Sequence, residues 1–463
     1  MNFDKIIDSY KDDIVKNVQR LVRIPSVEAP RDGNMPFGKD VQKALDEALA
    51  LCDQLGFNTL NVDNYAGHAD FGNHKETLGI LAHLDVVPAG DNWSKDPFGG
   101  EIHDNKIYGR GTIDDKGPCV AALFAMKAVK DSGVTLKKNV RMIFGTNEET
   151  NWEGIMYYLN HHKAPELAFT PDADFPVIHG EKGIVDIEVK HTFSDIVHDG
   201  GLRILSFKGG NAINMVPDKA EVRLIETYPI EAIVAKFNEA HNTSISYEKK
   251  DDVTILTAQG KSAHGSTPHL GVNAISHLLW LLDVLDIEIG DQSDFIRFFR
   301  KHIGMDYNGQ NMGCAFEDKD SGKLTLNIGL IDIDEEKASI SFNIRYPINR
   351  KVDDVTKGII DTIGSHNYEV IPSGHLDPIY FEKDHPMITT LNDIYQSYTS
   401  DVREPLTIGG GTYARAMKNA VAFGPMFPGD PDVAHQLDEY IDIDKLILVT
   451  KMYAKAIYEL AKD

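Results

Sequence analysis

LGILAHLD, residues 78–85, decides the fold. Five apolar residues, Leu78 to Ala82, run unbroken into an imidazole and a carboxylate, His83 and Asp85. A short apolar run bounded by polar residues predicts a strand buried on both faces, as in parallel sheets. The pattern recurs downstream. Val140–Phe144 predicts a second buried strand and opens into Thr146-Asn147-Glu148-Glu149-Thr150. Leu167–Phe169 predicts a third and opens into Pro171-Asp172-Ala173-Asp174. Helices are predicted between them, over Lys116–Ser132, with Pro118 in the first turn and Gly133 after the end, and over Glu153–His161. Residues 4–22 and 41–55 carry apolar stripes at helical spacing, and Gly56 stands where a helix stops. Alternating strands and helices imply an α/β domain with a mainly parallel sheet.

The texture changes near residue 183. Stretches such as Val185-Asp186-Ile187-Glu188-Val189 alternate with period two, and residues 323–346 do so again, with a helix expected over Asn273–Leu285. That pattern predicts an antiparallel α+β region. From about residue 380 the first rhythm returns, with helices expected near 385–399, 412–418 and 442–461. The organisation expected is one α/β domain of residues 1–182 and 379–463, interrupted by an inserted domain of residues 183–378 built as two subdomains.

Composition removes several function classes. The net charge is −24, from 47 basic and 71 acidic residues, which repels nucleic acid and anionic membrane. No run of about 18 apolar residues exists to span a membrane, and the acidic N-terminus lacks a signal-peptide core. Three scattered cysteines, Cys52, Cys119 and Cys314, fit a reducing, cytoplasmic setting.

In open α/β sheets, sites form beyond the carboxyl ends of strands. Three predicted strands end there in imidazole or carboxylate. His83 and Asp85 fall on one side of an extended chain, so Asp85 can hold the His83 ring. Asp114-Asp115 follows the glycines of Gly109-Arg110-Gly111 at a loop-to-helix junction, and His435 stands near the C-terminus. Taken singly, each has a plain reading: a helix cap, an acidic loop, a structural histidine. Taken together, nitrogen and oxygen donors without thiolates suit zinc, manganese or cobalt. A surplus carboxylate would then serve as general base.

The ordered segments HLDVVPAG, YGRGTIDDKGP, TNEET, PDADFP, NMVP, SAHGSTP, IRYP and GGGTYAR resemble the co-catalytic zinc peptidases. That family includes carnosinases, aminoacylases and succinyl-diaminopimelate desuccinylases, and the nearest resemblance is to PepV-type bacterial dipeptidases. The resemblance implies two divalent ions per chain, zinc first and manganese or cobalt as alternatives. It implies His83, Asp114, Glu149, Asp172 and His435 as ligands, with Asp114 bridging and the Asp114–Asp115 bond cis. Glu148 would be the general base, Asp85 the support of His83, and His264 the residue polarising the scissile carbonyl. Asn214, Arg345, Gly410, Gly411 and Thr412 would bind substrate, the glycine loop at an expected helix start. The insert would be a lid, the chain a monomer, and the substrate a small peptide, best a dipeptide. Two alternatives stay open: an N-acyl-amino-acid deacylase on the same scaffold, and a non-catalytic ligand-binding relative. Asp438-Glu439 stands where the family often has Asn-Glu, and Ile113 where it often has a smaller residue.

Overall fold

The computed structural model describes residues 3–194, 200–364 and 366–463. The chain divides into two compact units. The first comprises Met1–His179, Phe381–Leu406 and Gly411–Asp463; the second comprises Gly180–Tyr380 and Thr407–Gly410.

The first unit is built on a mixed sheet. Six of its strands are β1 (Asn58–Val62), β2 (Ala66–Phe71), β3 (Thr77–His83), β4 (Asn139–Gly145), β5 (Leu167–Thr170) and β6 (Ala420–Ala422). They stand in the order β1-β2-β4-β3-β5-β6. β3 pairs in parallel with β4 and β5, and β5 with β6. β1 and β2 extend the sheet antiparallel. In the β3–β4 register His83 stands opposite Gly145, so the chain leaves both strands at the same edge.

The helices are α1 (Phe3–Ser9), α2 (Lys11–Val22), α3 (Lys39–Gln54), α4 (Lys116–Asp131), α5 (Glu153–His161), α6 (Pro386–Thr399) and α7 (Ile443–Ala461). The single helix expected over residues 4–22 is two. The chain turns at Tyr10, whose N–H bonds the carbonyl of Ile7, yet Ile7, Ile14, Val18, Leu21 and Val22 are all buried. Apolar spacing survives such a break, so periodicity could not reveal it. α4 is buried on almost every side and packs against α7, so no polar face is needed.

The second unit carries one eight-stranded antiparallel sheet. Its two halves join where Arg203–Gly209 pairs with Thr325–Ile333. The two expected subdomains therefore share one sheet and one apolar cluster running from Val185 to Ile363. Strand Gly183–Thr192 alternates buried and half-buried residues from Gly183 to Val189, as one covered face requires. Among the described residues, no helix is long and apolar enough to cross a membrane.

Candidate metal centre

The edge where β3, β4 and β5 end carries the first unit's chemistry. His83 is the last residue of β3, and its side chain is 1% exposed. Its Nε2 lies 2.9 Å from Asp114 Oδ1 and 3.8 Å from Asp172 Oδ2. Its Nδ1 lies 3.0 Å from the backbone oxygen of Asp85, closer than the carboxylate at 3.6 Å. The ring is thus held by the Asp85 main chain, which fixes a proton on Nδ1 and aims Nε2 at the two aspartates. The Asp85 carboxylate is engaged elsewhere. It accepts the N–H groups of Glu148 at 3.1 Å and Glu149 at 3.0 Å. A strand pattern could place Asp85 beside His83 but could not show which of its oxygens faces the ring.

Asp114 stands at the centre. Its Oδ1 faces His83, and its Oδ2 lies 2.9 Å from His435 Nε2. The same His435 nitrogen lies 3.0 Å from Glu149 Oε1. Two donor sets therefore share one carboxylate: His83, Asp114 and Asp172; and Asp114, Glu149 and His435. Among the described residues, His83, Asp114 and Glu149 each offer a ligand atom within 4.8 Å of the others. The Asp114–Asp115 bond is cis. Asp115 is fully buried and accepts the His83 N–H at 3.2 Å.

Burial and crowded carboxylates set the proton affinities of this cluster. Burial, then the charge of Asp114, pushes Asp172 up to about 7. Burial, reinforced by Asp172, Glu149 and Asp114 against the pull of His83, raises Glu148 well above the usual carboxylate range. Burial and Asp114 raise Glu149 as well. Hydrogen bonds to Asp114 and Glu149 push His435 up to about 11. Burial opposes charge on His83, but Asp114 and Asp85 outweigh it and hold its proton tightly. The donors are imidazole and carboxylate without thiolate, which fits zinc, manganese or cobalt.

Most of the remaining expected residues lie in the second unit. The N–H of Gly265 donates to the carbonyl of Asn214 at 2.7 Å, and Met215 bridges His264, so the two loops run side by side. Ser266 Oγ lies 2.6 Å from His264 Nδ1. Arg345 is buried; its Nε donates to Asn343 at 2.8 Å and its Nη1 to the carbonyl of Gly409 at 3.1 Å. Gly410 belongs to this unit, while Gly411 and Thr412 belong to the first. The helix expected over 412–418 is only a 3-10 turn, Tyr413–Ala416, capped by Thr412. Met417 is already extended, because the chain must enter β6 at Ala420. A four-residue turn has little dipole to offer a carboxylate, so any anion binding there rests on local N–H groups alone.

Residues 79–459 match the sequence profile of peptidase family M20/M25/M40. The chain belongs to that family. It is a metallopeptidase by that membership. This M20 chain is 39% identical to a Bacillus subtilis (strain 168) protein named "Putative dipeptidase YtjP", over 100% of both chains. Its fold is similar to human carnosine dipeptidase 1, with a TM-score of 0.59 at 15% identity, covering 100% of this chain and 98% of that one. It is similar to the aminoacylhistidine dipeptidase of Vibrio alginolyticus, with a TM-score of 0.59 at 15% identity over 96% of each chain. At such identity the likeness concerns the fold.

Spacing in the M20 sequence assigns no role to Asp115, Arg110, Glu439 or Tyr413. Arg110 and Glu439 are 329 positions apart and meet at 2.6 Å. Local spacing carries no signal for that pairing beyond the glycines flanking Arg110.

Proposed function

We propose that this peptidase hydrolyses dipeptides bearing free amino and carboxyl termini. The observation that carries the reading is Asp114, which presents one oxygen to each of two imidazoles while Glu148 stands beside it as a spare carboxylate. Two ions, zinc by preference and manganese or cobalt as alternatives, would be held by His83, Asp114 and Asp172 and by Asp114, Glu149 and His435. Bound there, they would supply Lewis acidity to the attacking water and the scissile carbonyl.

Glu148 takes the proton from the attacking water and later delivers it to the leaving amine. A carboxylate that stands outside both donor sets is free to both accept and return a proton. The Asp85 carboxylate fixes the Glu148 main chain, so the base is aimed from behind. His264 is assigned to the carbonyl oxygen as a hydrogen-bond donor. Asn214, Arg345 and the N–H groups of Gly410, Gly411 and Thr412 are assigned to the substrate carboxylate. Anchoring the carboxyl end limits substrate length. Buried, unpaired cysteines suit the cytoplasm, and the long insert suits a monomer.

The test is a panel of three substrates given to enzyme stripped of metal and reloaded with Zn²⁺, Mn²⁺ or Co²⁺: a free dipeptide, its C-terminal amide, and an N-acetyl amino acid. The free dipeptide should be cut only after reloading, and the amide about tenfold more slowly or worse, since it lacks the carboxylate charge assigned to Arg345. Faster cleavage of the N-acetyl amino acid would replace the dipeptidase reading with a deacylase. No cleavage by the fully loaded protein would leave a binding protein.

A further inference from the structure

Glu439 lies four residues beyond His435 and is fully buried. Among the described residues, every donor that reaches its carboxylate comes from the stretch that carries Asp114. Oε1 accepts the N–H groups of Gly111 and Ile113 at 3.0 Å and of Asp114 at 3.4 Å. Oε2 accepts Arg110 Nη1 at 2.6 Å. The Gly109 N–H donates to the Glu439 carbonyl at 2.9 Å. Arg110 then reaches back. Nη1 lies 3.3 Å from the carbonyl of Gln436, and Nη2 lies 3.3 Å from the carbonyl of His435 itself. Nη2 also reaches Pro88 at 3.5 Å, and the guanidinium lies 5.2 Å from the Trp93 ring centroid.

Two loops from distant parts of the chain are therefore tied by one buried ion pair. One supplies the shared carboxylate and the other supplies His435. Stability alone explains this poorly, because apolar side chains of similar volume often replace a buried pair at no loss. Geometry explains it better. His435 is 48% exposed, so packing does little to hold it, and its backbone adopts φ +63. Side chains seldom adopt that region unless the surroundings enforce it. A guanidinium on its carbonyl supplies such enforcement. The other ligands are held separately: His83 by the sheet and the Asp85 carbonyl, Glu149 by the Asp85 carboxylate.

We propose that Arg110 and Glu439 are positioning residues that set the affinity of one metal site, that of Asp114, Glu149 and His435, more than that of the site at His83 and Asp172, which shares only Asp114 with it. The proposal rests on the two-ion reading of the proposed function. The test uses Glu439→Gln, which keeps the carbonyl acceptor for the three N–H groups but loses the charge pair, and Arg110→Lys, which keeps the charge but loses the fork. Zn²⁺ bound per chain is measured by equilibrium dialysis across buffered free Zn²⁺, and metal-free folding by far-ultraviolet circular dichroism. The wild-type chain should bind two equivalents. In both variants one equivalent should weaken by about 10–100-fold, as when partners that orient a ligand are lost, and the other, which shares Asp114, should weaken less. Metal-free spectra should match the wild type.

Wild-type binding of both equivalents by Glu439→Gln and Arg110→Lys would overturn the proposal. So would an equal weakening of both equivalents, or metal-free unfolding of both variants, either of which makes the pair a folding element. A wild-type chain that binds fewer than two equivalents would sink the two-ion reading instead, a result distinct from any of these.

Discussion

Asp85 serves two neighbours with different atoms, and that division sets what can be removed from the site. Its carbonyl receives the His83 ring, and its carboxylate receives the main chain of Glu148 and Glu149. Glu148 is thereby placed by its backbone, and its side chain is not in either donor set. Glu148→Gln should leave both metal sites intact and remove only the proton traffic. Turnover should fall by about 10²–10⁴-fold, the usual worth of a general base. Metal content by atomic absorption should match the wild type. An active Glu148→Gln enzyme would refute the base, and a metal-poor one would make Glu148 a ligand.

At the scale of elements, the parallel register of β3, β4 and β5 brings their polar sequels to one edge, and this was legible because these strands are buried on both faces. LGILA reads as an unbroken apolar run for that reason, and His83, Glu148 and Asp172 follow such runs directly. Less was legible where tertiary pairing decides. The break at Tyr10 keeps the helical stripe intact, the turn after Thr412 is cut short by the demands of β6, and Arg110 meets Glu439 across most of the chain. Gly145 shows the same dependence. It ends β4, and a Cβ there would lie 2.2 Å from the Tyr413 hydroxyl oxygen and 2.4 Å from a ring carbon. The Tyr413 ring is fully buried and packs edge-on against His83 and Trp152, so it cannot step aside. Gly145→Ala should therefore cost about 1–3 kcal/mol by overpacking. Tyr413→Ala should cost about 3–5 kcal/mol through the cavity it leaves. The double variant should be less destabilised than the sum, by about 0.5–3 kcal/mol, because the added methyl enters the space the phenol vacates. Urea unfolding of the four proteins measures this, and additive losses would show that Gly145 is not required by Tyr413.

At the scale of the whole molecule, the insert has the anatomy of an independent domain. Ile379 pairs with Glu181 and Tyr380 with Gly180, so its two ends leave side by side, as insertion into another domain requires. Its apolar cluster draws only on residues of the second unit. A chain of some 200 residues buries roughly 70% of the surface it exposes when unfolded, enough for a stable core. None of His83, Asp114, Glu149, Asp172 and His435 lies within residues 180–380, whereas Asn214, His264 and Arg345 all do. Division of the chain at these ends should therefore divide the chemistry. Residues 180–380 expressed alone should melt in one cooperative transition and bind no zinc stoichiometrically. The remainder, closed by a short glycine-serine linker between His179 and Phe381, should still bind zinc yet hydrolyse dipeptides far more slowly than the full chain, because it lacks the residues assigned to the carbonyl and the carboxylate. Calorimetry and zinc titration of the two fragments give the answer. A fragment 180–380 that melts without a cooperative transition would show that the insert depends on the rest of the chain. A remainder with full dipeptidase turnover would show that His264, Asn214 and Arg345 take no part in the reaction.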